Sequence, residues 1–235
     1  MARSRSLVFS AALLLLLLAA TRLAAQPTLE QILSGPFPSE LLASPSGGKL
    51  AWVQNARGVR NVWVAEPPEY RARQVTRYDK DDGQSLGGLA WTTDARSILY
   101  VRGGSGNRQG ESPNPTADPA GAEQAIWRVA VDGGGEPVRI GAGSGVAVSP
   151  RDSTGGRGFA FTRGGDIYWA PLDGGDPERW TDLRGRAGSL RWSPDGSRLA
   201  FVSNRGDHSF IGLYDLAAKA VRWITPSVDS DAEPV

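Results

Sequence analysis

An all-β chain built from repeated four-stranded sheets is the fold that the sequence predicts, on three observations. The first is a phrase that recurs. Its clearest copy, Trp192-Ser193-Pro194-Asp195-Gly196, runs into Arg198-Leu199-Ala200-Phe201-Val202. Three earlier copies are Ser44-Pro45-Ser46-Gly47 before Leu50-Ala51-Trp52-Val53, Thr92-Thr93-Asp94-Ala95 before Ile98-Leu99-Tyr100-Val101, and Ser149-Pro150-Arg151-Asp152 before Phe159-Ala160-Phe161-Thr162. The copies start at 44, 92, 149 and 193, so the steps are 48, 57 and 44 residues. The second observation is that almost everything after Ser39 reads as short apolar runs separated by turn residues. The third is composition: 30 glycines and 16 prolines without a collagen period fit many short strands joined by tight turns. A period near 45 with strand patterning is the signature of a β-propeller, one blade per repeat.

The elements follow in order. Arg3 and Arg5, the apolar run Leu7–Ala20 and the small-residue site Leu23-Ala24-Ala25 predict a signal peptide over 1–25. The other reading is a membrane anchor, but a span needs about 20 apolar residues and this run ends sooner, with Arg22 close behind. Residues 26–38 form a helix and linker: Thr28-Leu29-Glu30-Gln31 has capping-box spacing, and Gly35-Pro36 stops the helix. Residues 39–235 form a partial propeller with blades at about 39–78, 86–141, 145–181 and 189–225. Its fourth blade divides into strands Ser189–Trp192, Arg198–Ser203, Phe210–Asp215 and Ala220–Thr225. The other fourth strands are expected at Arg73–Tyr78, Pro137–Gly141 and Glu178–Thr181. A fifth blade begins at 230–235, because Asp231 to Val235 matches the run-in to the preceding phrase. The chain therefore reads as the front part of a larger protein. Gly103 to Glu123, rich in Gly, Pro and Asn, interrupts blade two between its second and third strands. Each blade must bury both faces against neighbours, and Trp52, Tyr100, Phe161 and Phe201 recur as that packing.

Composition removes several functions. A net charge of +1 gives no electrostatic case for nucleic acid or anionic lipid. Cysteine is absent, so no disulfide, thiol nucleophile or thiolate metal site is available. His208 is the single histidine, which argues against a histidine metal centre; no metal and no cofactor are expected. No Gly-x-Ser-x-Gly elbow, phosphate loop or calcium loop occurs. No catalytic residue is expected in these 235 residues.

Strand counting places the loops between strands two and three on one face, beside the blade-to-blade connections. That face gathers Arg57, Arg60, Arg108, Arg163 and Arg205 with Glu111, Glu123, Asp166 and Asp207. One reading is a rim that binds a charged substrate or docks another domain; the other is solvated turn residues. Asp207-His208-Ser209 is not a triad, since adjacent hairpin residues cannot converge as nucleophile, base and orienter. A substrate or interdomain contact through Arg205, Asp207 and His208 remains open.

The run Trp192 to Ser203 resembles the Pro-Asp repeat of Tol-type propellers and of the prolyl oligopeptidase family. Thr28–Leu33 with Pro36-Phe37-Pro38, then Asn55–Asn61 and Asp207–Gly212, resemble exported bacterial dipeptidyl-peptidase and acylaminoacyl-peptidase members of that family. The resemblance implies a propeller of about seven or eight blades that caps a C-terminal α/β-hydrolase domain carrying a Ser-Asp-His triad. It implies a periplasmic or secreted serine peptidase whose propeller gates short peptide substrates. In some branches propeller acids hold the substrate's amino terminus, and Glu111 and Glu123 are the acids nominated here. A non-catalytic envelope propeller that binds a protein or cell-wall partner is the alternative. A sugar- or lyase-type propeller enzyme would want several histidines and acids converging on the channel, and one histidine argues against it.

Overall fold

A computed structural model describes residues 26–107, 109–150, 157–224, 228–232 and 234. The expected signal peptide, Arg108, and the Arg151-Asp152 half of the third turn phrase lie outside the described residues. The chain divides into two compact units, 1–35 and 36–235. In the first, α1 (Leu29–Leu33) begins with the capping box expected from sequence. The Thr28 hydroxyl accepts from Gln31 N–H at 3.1 Å, and Gln31 Oε1 accepts from Thr28 N–H at 2.9 Å.

The second unit holds four antiparallel four-stranded sheets, each with its strands in chain order. Blade one is β1 (Phe37–Ala43), β2 (Leu50–Ala56), β3 (Val59–Ala65) and β4 (Arg73–Gln74). Blade two is β5 (Leu86–Trp91), β6 (Ser97–Arg102), β7 (Ala125–Ala130) and β8 (Val138–Ala142). Blade three is β9 (Ser144–Val148), β10 (Gly158–Arg163), β11 (Asp166–Pro171) and β12 (Glu178–Arg179). Blade four is β13 (Arg186–Trp192), β14 (Arg198–Asn204), β15 (Ser209–Asp215) and β16 (Ala220–Trp223). The first strands β1, β5, β9 and β13 pack in succession and form the inner wall. This is a stack of propeller blades, the fold class the repeat predicts.

The recurrent phrase closes the turn between first and second strands. Ser44, Thr92 and Ser193 each accept, through the side-chain oxygen, the N–H of Lys49, Ser97 and Arg198 at 2.9, 3.1 and 3.0 Å. The Thr92 and Ser193 hydroxyls donate onward to Asp94 and Asp195 at 2.7 and 2.6 Å. The aspartates in turn accept the N–H groups of Arg96 and Ser197, both at 3.1 Å. A hydroxyl followed two residues later by a carboxylate therefore satisfies the turn's own backbone donors.

Strand boundaries differ from the sequence expectation at both edges of the blades, and the larger differences have a physical reason. β1 and β13 start at Phe37 and Arg186, earlier than the expected Ser39 and Ser189. Every inner strand carries a β-bulge, and its left-handed residue is Glu40, Gly88, Gly145 or Ser189, with φ between 50° and 63°. These four positions repeat the 48, 57 and 44 steps of the turn phrase. A bulge breaks the period-two alternation, so the pattern before it does not read as strand. At the other edge, β4 and β12 are two-residue strands. Beyond them a threonine replaces the ladder: Thr76 Oγ1 accepts from Val62 N–H, and Thr181 Oγ1 from Ile167 N–H, both at 2.9 Å.

Packing alternates between blades. Ile98 and Tyr100 of β6 face blade one, while Leu99 and Val101 of the same strand face blade three. Phe161 packs toward blade two and Phe201 toward blade three, and Tyr100, Phe161 and Phe201 are almost wholly buried. Burying such a side chain contributes roughly 1.5–3 kcal/mol. Trp52, the fourth of the aligned aromatics, is only half-buried and stacks on Trp63 at 6.4 Å. It lies on the face of blade one opposite to Ala51 and Val53, which pack toward blade two.

Candidate functional site

The loop face is real in the structure. Connections return to the hairpin loop of the blade before them: Gly143 N–H donates to Gln124 O at 3.0 Å, and Ala187 N–H to Gly165 O at 2.8 Å. After blade four the chain does so again, with a parallel bridge between Ser209 and Ser230. On this face a cavity of about 730 Å³ lies between the blade-two insertion and the β10–β11 hairpin. Asn107 and Gln109 border it from the insertion, Ser144 from the start of β9, Arg163 from the hairpin and Arg186 from the start of β13. A smaller cavity, about 180 Å³, borders the other side of the insertion at Asp82, Arg102 and Asn114, so the expected rim is concave in both places.

The insertion is built rather than loose over its described part. Asn107 Oδ1 accepts the N–H groups of Gln109 and Glu111 at 2.9 and 3.0 Å, and Asn107 Nδ2 donates to Glu111 Oε2 at 2.9 Å. Asn114 ties a second turn by accepting from Asp118 N–H at 3.0 Å. At its end Glu123 receives both Arg139 Nε and Nη2, at 2.6 and 2.8 Å. That fork-on-fork pair holds the Glu123 carboxyl below the usual carboxylate range, with the Arg139 hydrogen bond as the main cause.

The other residues singled out from sequence fall in separate places. Arg57 is exposed at the tip of the β2–β3 hairpin with φ of 52°. Arg60 faces inward, donating to Gly58 O at 2.9 Å and Gln84 O at 3.4 Å, with Asp81 at 3.8 Å. It braces the connection between blades one and two. Arg205, Asp207 and His208 share the β14–β15 loop. His208 Nδ1 lies 2.6 Å from Asp207 Oδ1, and this contact holds the Asp207 carboxyl low. The His208 ring lies 4.9 Å from Phe210, and the Arg205 guanidinium sits 4.7 Å over the same ring and 5.3 Å over Trp223. Among the described residues Arg205 Nε is buried without a hydrogen-bond partner. The cavity thus gathers the insertion and Glu123, while Arg57, Arg60 and the blade-four loop stand apart from it.

Arg186 is the cavity residue that the sequence reading passes over. It belongs to a blade-to-blade connection, and the rule that puts those connections on the loop face is the signal that finds it. No cluster of potential metal ligands occurs among the described residues. No helix there is long and apolar enough to cross a membrane.

No family model and no curated protein matches the chain. Solved structures do match it. A prolyl endopeptidase aligns at 13% identity and a TM-score of 0.57, over 83% of this chain and 30% of its own. A puromycin-hydrolysing peptidase of Mycobacterium tuberculosis aligns at 17% identity and 0.56, over 80% and 28%. TolB of Acinetobacter baumannii aligns at 18% identity and 0.55, over 81% and 44%. The chain spans less than half the length of each of these three proteins. Tol-type and peptidase-type propellers, the two kinds the repeat phrase resembles, are both among these matches, and at such identities the likeness establishes the fold: this chain is a run of β-propeller blades.

Proposed function

We propose that the chain is the N-terminal, substrate-gating propeller portion of a secreted serine peptidase that hydrolyses short peptides. On this reading the Ser-Asp-His triad lies on an α/β-hydrolase domain outside these 235 residues. The observation that carries it is the polar cavity on the loop face, bordered by an ordered insertion that occurs in one blade alone among the four. Structural repeats need short turns; an insertion with its own internal hydrogen bonds is the kind of addition that functional loops make. The peptidase-type matches support the reading, since this chain aligns with only 30% and 28% of those chains and leaves room there for a further domain. A propeller in that position acts by exclusion, admitting peptides that fit past the loops and refusing folded protein. Export rests on the basic, apolar and small-residue order of residues 1–25.

The test is fluorophosphonate labelling of the natural full-length polypeptide, paired with hydrolysis of chromogenic di- and tripeptides against a folded protein substrate. Labelling with cleavage of the short peptides alone is expected. Absence of labelling overturns the peptidase reading. The second reading, a non-catalytic envelope propeller that binds a protein or cell-wall partner, draws on the TolB likeness and would then be tested by co-purification from the envelope fraction. For export, N-terminal sequencing of the mature protein is expected to begin at Gln26.

A further inference from the structure

We infer that the cavity between the blade-two insertion and the β10–β11 hairpin is a carboxylate-binding subsite, in which Arg163 and Arg186 hold the anionic group of a peptide. The inference rests on the peptide-gating reading above and adds to it the charge of the group recognised.

The argument is one of uncompensated charge. Three acids stand near the cavity; Glu123 and Asp166 are each taken by another arginine, and the Glu111 carboxylate lies on the insertion, accepting from Asn107 Nδ2. Glu123 is held by Arg139 through both oxygens. Asp166 is held by Arg179 at 2.7 Å, and its other oxygen accepts from Thr181 Oγ1 and Leu183 N–H at 3.3 and 2.8 Å. Arg163 and Arg186 have no carboxylate within 4.0 Å among the described residues. Among the described residues the charge left over at this cavity is therefore positive, two guanidinium groups against the single carboxylate of Glu111.

Geometry makes the pair usable. The Arg163 guanidinium carbon sits over the Tyr168 ring, 4.1 Å from its centre. A cation–π seat of this kind holds the guanidinium in place while N–H groups remain to fork onto a carboxylate. Arg186 is brought alongside by the Ala187 N–H to Gly165 O bond at 2.8 Å. Position 165 has to be glycine for this approach: its φ is 99°, and a Cβ there would stand 2.9 Å from Gly185 O and 3.8 Å from Arg186 Cγ. The neutral groups around the two arginines, Asn107, Gln109, Gln124 and Ser144, supply further amide and hydroxyl contacts for a peptide backbone. A volume of about 730 Å³ is the size of a small-ligand pocket.

The experiment is calorimetric titration of the full-length chain, treated beforehand with a fluorophosphonate so that any serine nucleophile is blocked. The probes are N-acetyl-trialanine with a free C terminus, the same peptide as its amide, and N-acetyl-Ala-Glu-Ala amide. The free acid is expected to bind roughly tenfold or more tightly than its amide, the scale of hydrogen bonds to a charged group. In the Arg163→Gln/Arg186→Gln double variant that difference is expected to vanish, while Arg222→Gln on the exposed β16 leaves it intact. Should the double variant fail to fold, Arg186→Gln alone, at an exposed position, is expected to shrink the difference several-fold. Tight binding of the glutamate peptide supports the subsite and names an acidic side chain as the source; its weak binding beside tight binding of the free acid names the C terminus. Equal binding of all three peptides overturns the subsite and leaves peptide gating standing. Binding of none of the three overturns both.

Discussion

The seams between blades one and two and between blades three and four are stitched by the same atom pair; the seam between blades two and three is not. Trp91 Nε1 donates across the first seam to Leu42 O at 3.3 Å, and Trp192 Nε1 across the third to Ala147 O at 3.0 Å. These tryptophans occupy equivalent places in the repeat, just before its turn. Blade three has Val148 there, so the second seam has no such donor. It is held instead by an apolar cluster containing Phe159, Phe161, Ile126 and Leu172, with Arg128 donating to Leu172 O and Arg157 pairing with Asp94 at 2.6 Å. The lesson is that the repeat conserves the shape of a blade more strictly than the chemistry that joins one blade to the next. Inner-strand hydrogen bonds and interlocked aromatics are interchangeable means to the same packing.

The strongest way to break this comparison is to open the middle seam. Phe161→Ala removes an almost fully buried ring that stacks on Tyr168 at 5.7 Å and touches Phe159 at 5.6 Å. A loss of about 3–5 kcal/mol is expected, as for aromatic truncation in other cores. The measurement is urea unfolding followed by tryptophan fluorescence. A loss of under about 1 kcal/mol would show that the seam is held by its polar contacts and not by the cluster.

A smaller effect separates stitch from packing. Trp192→Phe keeps an aromatic side chain against Trp169 and Trp180, which it meets edge-on at 6.0 Å, but deletes the indole N–H. The expected cost is about 1 kcal/mol, the net worth of one hydrogen bond. Trp91→Phe should cost less, since its bond is longer. If both substitutions are neutral in the same urea assay, the stitch is incidental and the three seams are alike.

Much of this architecture was legible because its causes are local. The phrase at 44, 92 and 193 is a turn whose side-chain oxygens bind backbone groups a few residues away, so sequence spacing and structure coincide. The bulges at Glu40 and Ser189 were not legible. Their left-handed backbone sits on non-glycine residues, and its supports come from elsewhere: the Glu40 carboxylate accepts Leu89 N–H from the next blade at 3.3 Å. That carboxylate also fills the space over Gly87, where a Cβ would stand 2.3 Å from Glu40 Oε1. The candidate site divides in the same way. The loop face follows from counting strands, and it brings the insertion and Arg163 together. Which charges remain unmatched does not follow, because Glu123 finds Arg139 and Asp166 finds Arg179 only once the hairpins are in register.

The smallest effect sharpens the comparison at its most exposed point. Asp94 and Arg157 join blades two and three at the turn end, and the arginine is more than half exposed. Burial pushes the Asp94 carboxyl up, but the Thr92 hydroxyl, the Arg96 N–H and Arg157 together outweigh it and hold it below the ordinary aspartate value. A group lowered in the folded state stabilises that state above its unfolded pKa, about 3.9. The contribution is lost as pH falls through the folded value. Arg157→Ala should therefore cost under about 1 kcal/mol near pH 7, and the wild-type and variant unfolding curves should converge as the pH falls through the lowered folded-state value of Asp94. A cost that persists undiminished at low pH would mean that Arg157 works through its aliphatic stem against the seam, as packing rather than as charge.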